Sequence, residues 1–160
     1  MFRPTITILP ALTLTAGNAT SQPLDIPLVI ATKDDAPLHL DLADLDAMPQ
    51  ESFVTGTLWT EGETRFSGVP LAVLLDQAGI GDDATRIALV ALNDYKVEIP
   101  LDEIEDTRPI VATRMDGKVM AVRDKGPYWL VYPYDEDTRY RTEAIYARSI
   151  WQLGQLRVSE

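Results

Sequence analysis

Residues 66–80, "FSGVPLAVLLDQAGI", decide how the rest of the chain is read. They hold the clearest helical signal in the sequence: Pro70 sits at a first turn, Leu71, Leu74 and Leu75 recur on one face, and Gly79 supplies the stop. Upstream, "PLDIPLVIAT" (23–32) alternates, carries β-branched residues and reads as a strand. "LHLDLADLDAMPQ" (38–50) opens as a short strand and passes into helical turns with Leu42 and Leu45 inward, ended by Pro49. "SFVTGTLWT" (52–60) is a further strand.

Downstream the pattern turns to sheet. "RIALVAL" (86–92) is a buried strand, and Asn93-Asp94 turns it into "YKVEIP" (95–100). "LDEIEDT" (101–107) is a short acidic helix. "PIVATRM" and "KVMAV" flank Asp116-Gly117, the strongest hairpin signal present, and "YWLVYPY" (128–134) and "SIWQLGQLRV" (149–158) close the sheet. Around eight short strands with two or three short helices make an α+β fold: a single domain built on a mixed, bent β-sheet.

Composition narrows the function. The 160 residues suit one domain that buries roughly two-thirds of its unfolded surface. No apolar run is long enough to span a bilayer. A net charge of −11 argues against nucleic acid and anionic membranes as partners. That charge is uneven: residues 1–107 carry 18 acids and 5 bases, while residues 108–160 carry 7 acids and 9 bases. An anion site would draw on the C-terminal third; the alternative is a solvated surface of mixed charge. The first residues, "MFRPTITILPALTLTAGNATSQ", have one Arg, a short apolar stretch, no acid, and small residues at Gly17 and Ala19. They are expected to form a signal peptide over 1–19, cleaved after Ala19, leaving 20–160 as the domain and a periplasmic or secreted location. A disordered or strand-forming N-terminus is the competing reading.

Much chemistry is absent. There is no cysteine, so disulfides, thiolate nucleophiles and thiolate-bound metals are excluded from this stretch of chain. The one histidine, His39, alternates with Leu38 and Leu40 and is expected to face solvent. No nucleophile elbow occurs, and "DEDTRYRTE" (135–143) lacks the glycine and spacing of a calcium loop. What remains is cationic. Arg123 and Lys125 precede Gly126-Pro127, a tight turn open to backbone approach, and Arg139, Arg141 and Arg148 follow an aromatic strand. Guanidinium forks suit phosphate or carboxylate. On periodicity alone, Trp129 and Val131 belong to the core, with Trp151 a further candidate, while Tyr128, Tyr132 and Tyr134 line the outer face.

The order of these motifs resembles a known family. "FSGVPLAVLLDQAGI", then "MDGKVMAVRDKGPYWLVYP", then "RSIWQLGQLRV" are similar to three successive segments of the sulfite-oxidase-type oxidoreductase molybdopterin-binding domain. The likeness covers roughly residues 50–158 and is greatest to small stand-alone bacterial members, often exported. It implies a mixed α+β fold and molybdopterin as cofactor. Enzymes of that family bind molybdenum through a cysteine in "T-L-x-C"; the matching residues here are Thr57, Leu58, Trp59 and Thr60, and Thr60 stands in the cysteine's place. A protonated, hard hydroxyl is a poor substitute for a soft thiolate. The following "EGETR" keeps only Arg65 as a phosphate partner, Ile150 replaces a lysine, and Trp129 replaces an arginine. By resemblance, a cleft lined by Thr60, Arg65, Arg123, Lys125 and Arg148 is expected. The reading is therefore an exported, non-catalytic domain of this fold that binds a small anionic or aromatic ligand. The alternatives are a molybdopterin-dependent oxidoreductase and an interaction or sensory partner of a periplasmic protein.

Overall fold

A computed structural model describes residues 25–33, 35–80 and 84–159. The expected leader over 1–19 lies outside the described residues. The predicted bent sheet resolves into two sheets. One is mixed: β1 (Leu28–Ala31) runs parallel to β10 (Leu153–Ser159), and β2 (Leu38–Leu40), β5 (Arg86–Ala91) and β6 (Lys96–Pro100) complete the order β2-β1-β10-β5-β6. The other is antiparallel: β3 (Glu51–Gly56), β4 (Glu63–Pro70), β7 (Ile110–Met115) and β8 (Lys118–Val119), with β9 (Trp129–Val131) sharing the outer edge of β7 with β8.

Strand β4 is not anticipated by the pattern, because Ser67, Gly68 and Pro70 read as a loop leading into the helix. Its backbone pairs on both sides, with Phe66 and Thr64 buried and Glu63 and Arg65 outward. Gly68 allows the close pairing, since a Cβ there would lie 2.0 Å from the Val111 carbonyl oxygen. Helix α2 (Leu71–Gln77) follows at once, burying Leu71, Leu74 and Leu75, and Gly79 ends it with a φ of +64°. Helix α1 (Leu42–Asp46) opens with a reciprocal capping box between Asp41 and Asp44 and buries Leu45. The Asp116-Gly117 turn has positive φ at both residues, as a two-residue hairpin requires.

One continuous core takes Leu28, Ile30, Leu89 and Leu156 from the first sheet and Phe66, Val111, Trp129 and Leu130 from the second. A third helix, α3 (Glu143–Arg148), packs Tyr146 against Tyr134, and the tyrosines expected to face outward are all covered. Tyr128, Tyr132 and Tyr134 are all buried. The Tyr128 hydroxyl donates to the Ile26 carbonyl at 2.9 Å, Tyr132 packs on Tyr140, and Tyr134 stacks on Tyr146 at 5.2 Å. Period-two alternation predicts one wet face only where a strand has one covered face, and here both faces are covered. Trp151, a core candidate, is instead 37% exposed. His39 is exposed, as expected.

Candidate functional site

The loop between β3 and β4 is closed by its threonines. Thr57 Oγ1 accepts from the Trp59 backbone N–H at 3.0 Å and shares a hydrogen bond with Thr60 Oγ1 at 2.8 Å. This turn carries the Trp59 indole inward, edge-on to Trp151 at 5.4 Å, to Trp129 at 6.0 Å and to Tyr146 at 6.1 Å. Tyr146 is delivered by α3, whose first turn is capped by the Thr142 hydroxyl accepting from Ile145 N–H. Helical spacing puts Glu143, Tyr146 and Ala147 on one side of α3. With Asn93 and Tyr95 from the β5–β6 turn, and Trp151, they line a cleft of about 530 Å³. That is the size range of small-molecule sites.

The five residues expected at an anion site distribute differently around this cleft. Thr60 adjoins it through Trp59. Lys125 reaches the same aromatic cluster, its Nζ 5.7 Å from the Trp129 ring centre and 5.8 Å from that of Trp151. Arg148 lies on α3, but its guanidinium is paired with the Glu103 carboxylate, which holds Glu103 below its ordinary range. Arg123 is 88% exposed beside Asp124, and Arg65 stands on the outward side of β4; neither lines the cleft. The Gly126 backbone, expected to be open to a ligand, is closed by the protein itself. Its N–H donates to the Ala121 carbonyl at 2.8 Å, and a Cβ would lie 2.0 Å from the Met120 carbonyl oxygen.

A second hollow of about 430 Å³ lies on the other side of the Thr60 loop, lined by Thr60, Glu63, Asp135 and Arg141 and sharing Tyr146 with the first. Asp135 accepts from the Gly56 N–H at 2.6 Å and from Thr55, bonds that keep its carboxyl below the ordinary value. Arg141 is engaged by the Tyr134 carbonyl at 2.7 Å and by Asp135 at 2.8 Å. The donors beside Thr60 are thus hydroxyls and hydrogen-bonded carboxylates, with no thiolate in the chain. Such a set does not fit the molybdenum of the resembling enzymes.

Trp59, Tyr95, Glu143 and Tyr146 are the lining residues that pattern reading does not single out. Thr142 followed by Glu143, with Arg148 in the last turn, is a legible helix signal that would have placed Tyr146. Nothing local brings Tyr95 to Trp59.

No curated protein matches the sequence. Among solved structures, the sulfane dehydrogenase SoxCD of Paracoccus pantotrophus is similar in fold, with a TM-score of 0.64 at 19% identity over 83% of this chain. The chain spans 38% of the length of that SoxCD chain. Residues 17–135 match the oxidoreductase molybdopterin binding domain. With the fold and the motif order in agreement, the chain belongs to that family, the sulfite-oxidase type of molybdopterin-binding domain.

Proposed function

We infer that this domain binds a small organic ligand in the aromatic cleft beside the Thr60 loop and carries no molybdenum redox centre. The observation that supports the reading is the cleft itself: about 530 Å³, walled by Trp59, Tyr95, Tyr146 and Trp151. Trp59 is followed by Thr60, which by the family resemblance stands in the place of the enzymes' cysteine. Of the two ligand classes expected, the walls favour one that offers apolar or aromatic surface. The cations that would hold a phosphate are turned elsewhere: Arg148 to Glu103, Arg141 to Asp135. Export is part of the same proposal, resting on the leader-like residues 1–19.

Two measurements test it. Protein produced with its own export route is analysed for molybdenum and for the fluorescence of oxidised pterin, and indole is titrated by calorimetry. A saturable heat of binding with neither metal nor pterin is the expected result. Near-stoichiometric molybdenum would establish the oxidoreductase instead, and pterin alone would make the cleft a cofactor-carrier site. The mature N-terminus is expected at Thr20; retention of Met1 would remove export from the proposal.

A further inference from the structure

The charge around the aromatic cleft differs from the charge that an anion site needs. Among the described residues, Glu143 lines the cleft without an ion-pair or hydrogen-bond partner, and no cationic side chain lines it. Trp59 stands at 70° to Trp151 and at 80° to Tyr146, so the rings meet as the corner of a box rather than as a stack. Two rings set at right angles leave room for each to offer a π-face to the space between them, the arrangement that attracts an organic cation. The cluster already takes one cation, because Lys125 Nζ lies within 6 Å of both the Trp129 and Trp151 ring centres without lining the cleft. Among the described residues no lysine or arginine stands over Trp59, Tyr95 or Tyr146. The whole chain carries a net charge of −11, which raises the local concentration of small cations.

The geometry points to an aromatic cage for an alkylated ammonium group, with Trp59, Tyr95, Tyr146 and Trp151 as its walls and Glu143 as its counter-ion. This deepens the ligand-site reading of the cleft and rests on it. Asn93 adds a polar group at the rim, its Oδ1 accepting from the Tyr95 N–H at 3.2 Å and its amide nitrogen left for a ligand oxygen. The class of ligand is a small quaternary or tertiary amine, with the charge buried against rings and a polar tail towards solvent.

A matched series of probes tests the sign of the charge at constant shape: choline, its neutral carbon isostere 3,3-dimethylbutan-1-ol, and the anion 3,3-dimethylbutanoate. Each is titrated into the full chain by calorimetry and by tryptophan emission. Choline is expected to bind about tenfold more tightly than the alcohol, and the anion not measurably. Glu143→Gln, a change at an exposed helix start, should weaken choline several-fold and leave the alcohol unchanged. Lys125→Met removes the resident cation and should strengthen choline. Equal binding of choline and the alcohol, or preference for the anion, overturns the cage. Indole binding with no response to choline also overturns it, while leaving the cleft as a ligand site. If neither indole nor any probe binds, the cage and the underlying reading fall together.

Discussion

At the residue scale, the buried polar pair Tyr134–Ser149 shows how the aromatic end of the molecule is held. The Tyr134 hydroxyl donates to Ser149 Oγ at 2.5 Å, and that hydroxyl donates on to the Ile145 carbonyl at 2.8 Å. Ser149→Ala removes the acceptor and leaves a buried phenol unsatisfied, a loss of about 1–3 kcal/mol. The double variant Ser149→Ala with Tyr134→Phe removes both partners and should recover part of that loss in urea denaturation. If the double variant is less stable than Ser149→Ala alone, the phenol is not the source of the cost. Burial also pushes the Tyr128 and Tyr134 phenols up to about 12. Their raised values contribute stability that is whole below the ordinary value of 10.0 and lost as pH rises through 12. Absorbance of phenolate should therefore develop for these two only near pH 12 or together with unfolding.

At the scale of elements, α1 and β4 carry separate tests. Helix α1 is only five residues long, so its caps and its packing decide whether it forms. Asp41→Ala removes the side chain that accepts from Asp44 N–H at 2.8 Å and should cost about 1 kcal/mol, lowering the melting temperature by roughly 2–4 °C. An unchanged melting curve would mean that Leu45 alone anchors the helix. In β4, Gly68→Ala drives a methyl group into the backbone of β7, which cannot yield without opening the sheet. It should be far more damaging than loss of the cap, and the two can be ranked by the same melting experiment. Helices α1 and α2 and the hairpin at Asp116-Gly117 were legible because their signals lie within a few residues. Strand β4 was not, since Ser67, Gly68 and Pro70 favour a loop until β3 and β7 pair with it on both sides.

At the scale of the whole molecule, acidic groups from distant segments are tied across the fold. Asp46 is held below its ordinary value by its bonds to Arg114, Glu103 by Arg148, and Asp135 by the Gly56 N–H. A depressed carboxyl contributes stability that is present above its ordinary value, 3.8 for aspartate and 4.5 for glutamate, and is lost as pH falls through the folded value. Stability should therefore hold down to those values and drop below them. These groups are solvent-accessible, so each share is small. Asp46→Asn should shift the acid limb of the melting profile while leaving the limb above pH 7 where it is, apart from a constant offset. A profile flat to well below the ordinary carboxylate values would show that the ties contribute nothing measurable.

The sequence by itself determined the class of fold, the family likeness and the absence of cysteine. Each is written in local pattern, side-chain chemistry or motif order. It also marked Lys125, whose ammonium the folded chain sets near the Trp129 and Trp151 rings. Only the tertiary structure decided what surrounds it. Trp59, Tyr95, Tyr146 and Trp151 come from separate segments, and their meeting depends on sheet pairing and on α3 packing beside β6. Whether a cation is available to a ligand is likewise a matter of its partner in space. Arg148 and Glu103 are forty-five residues apart in the chain and bonded in the fold, and no spacing rule within the sequence records such a pair.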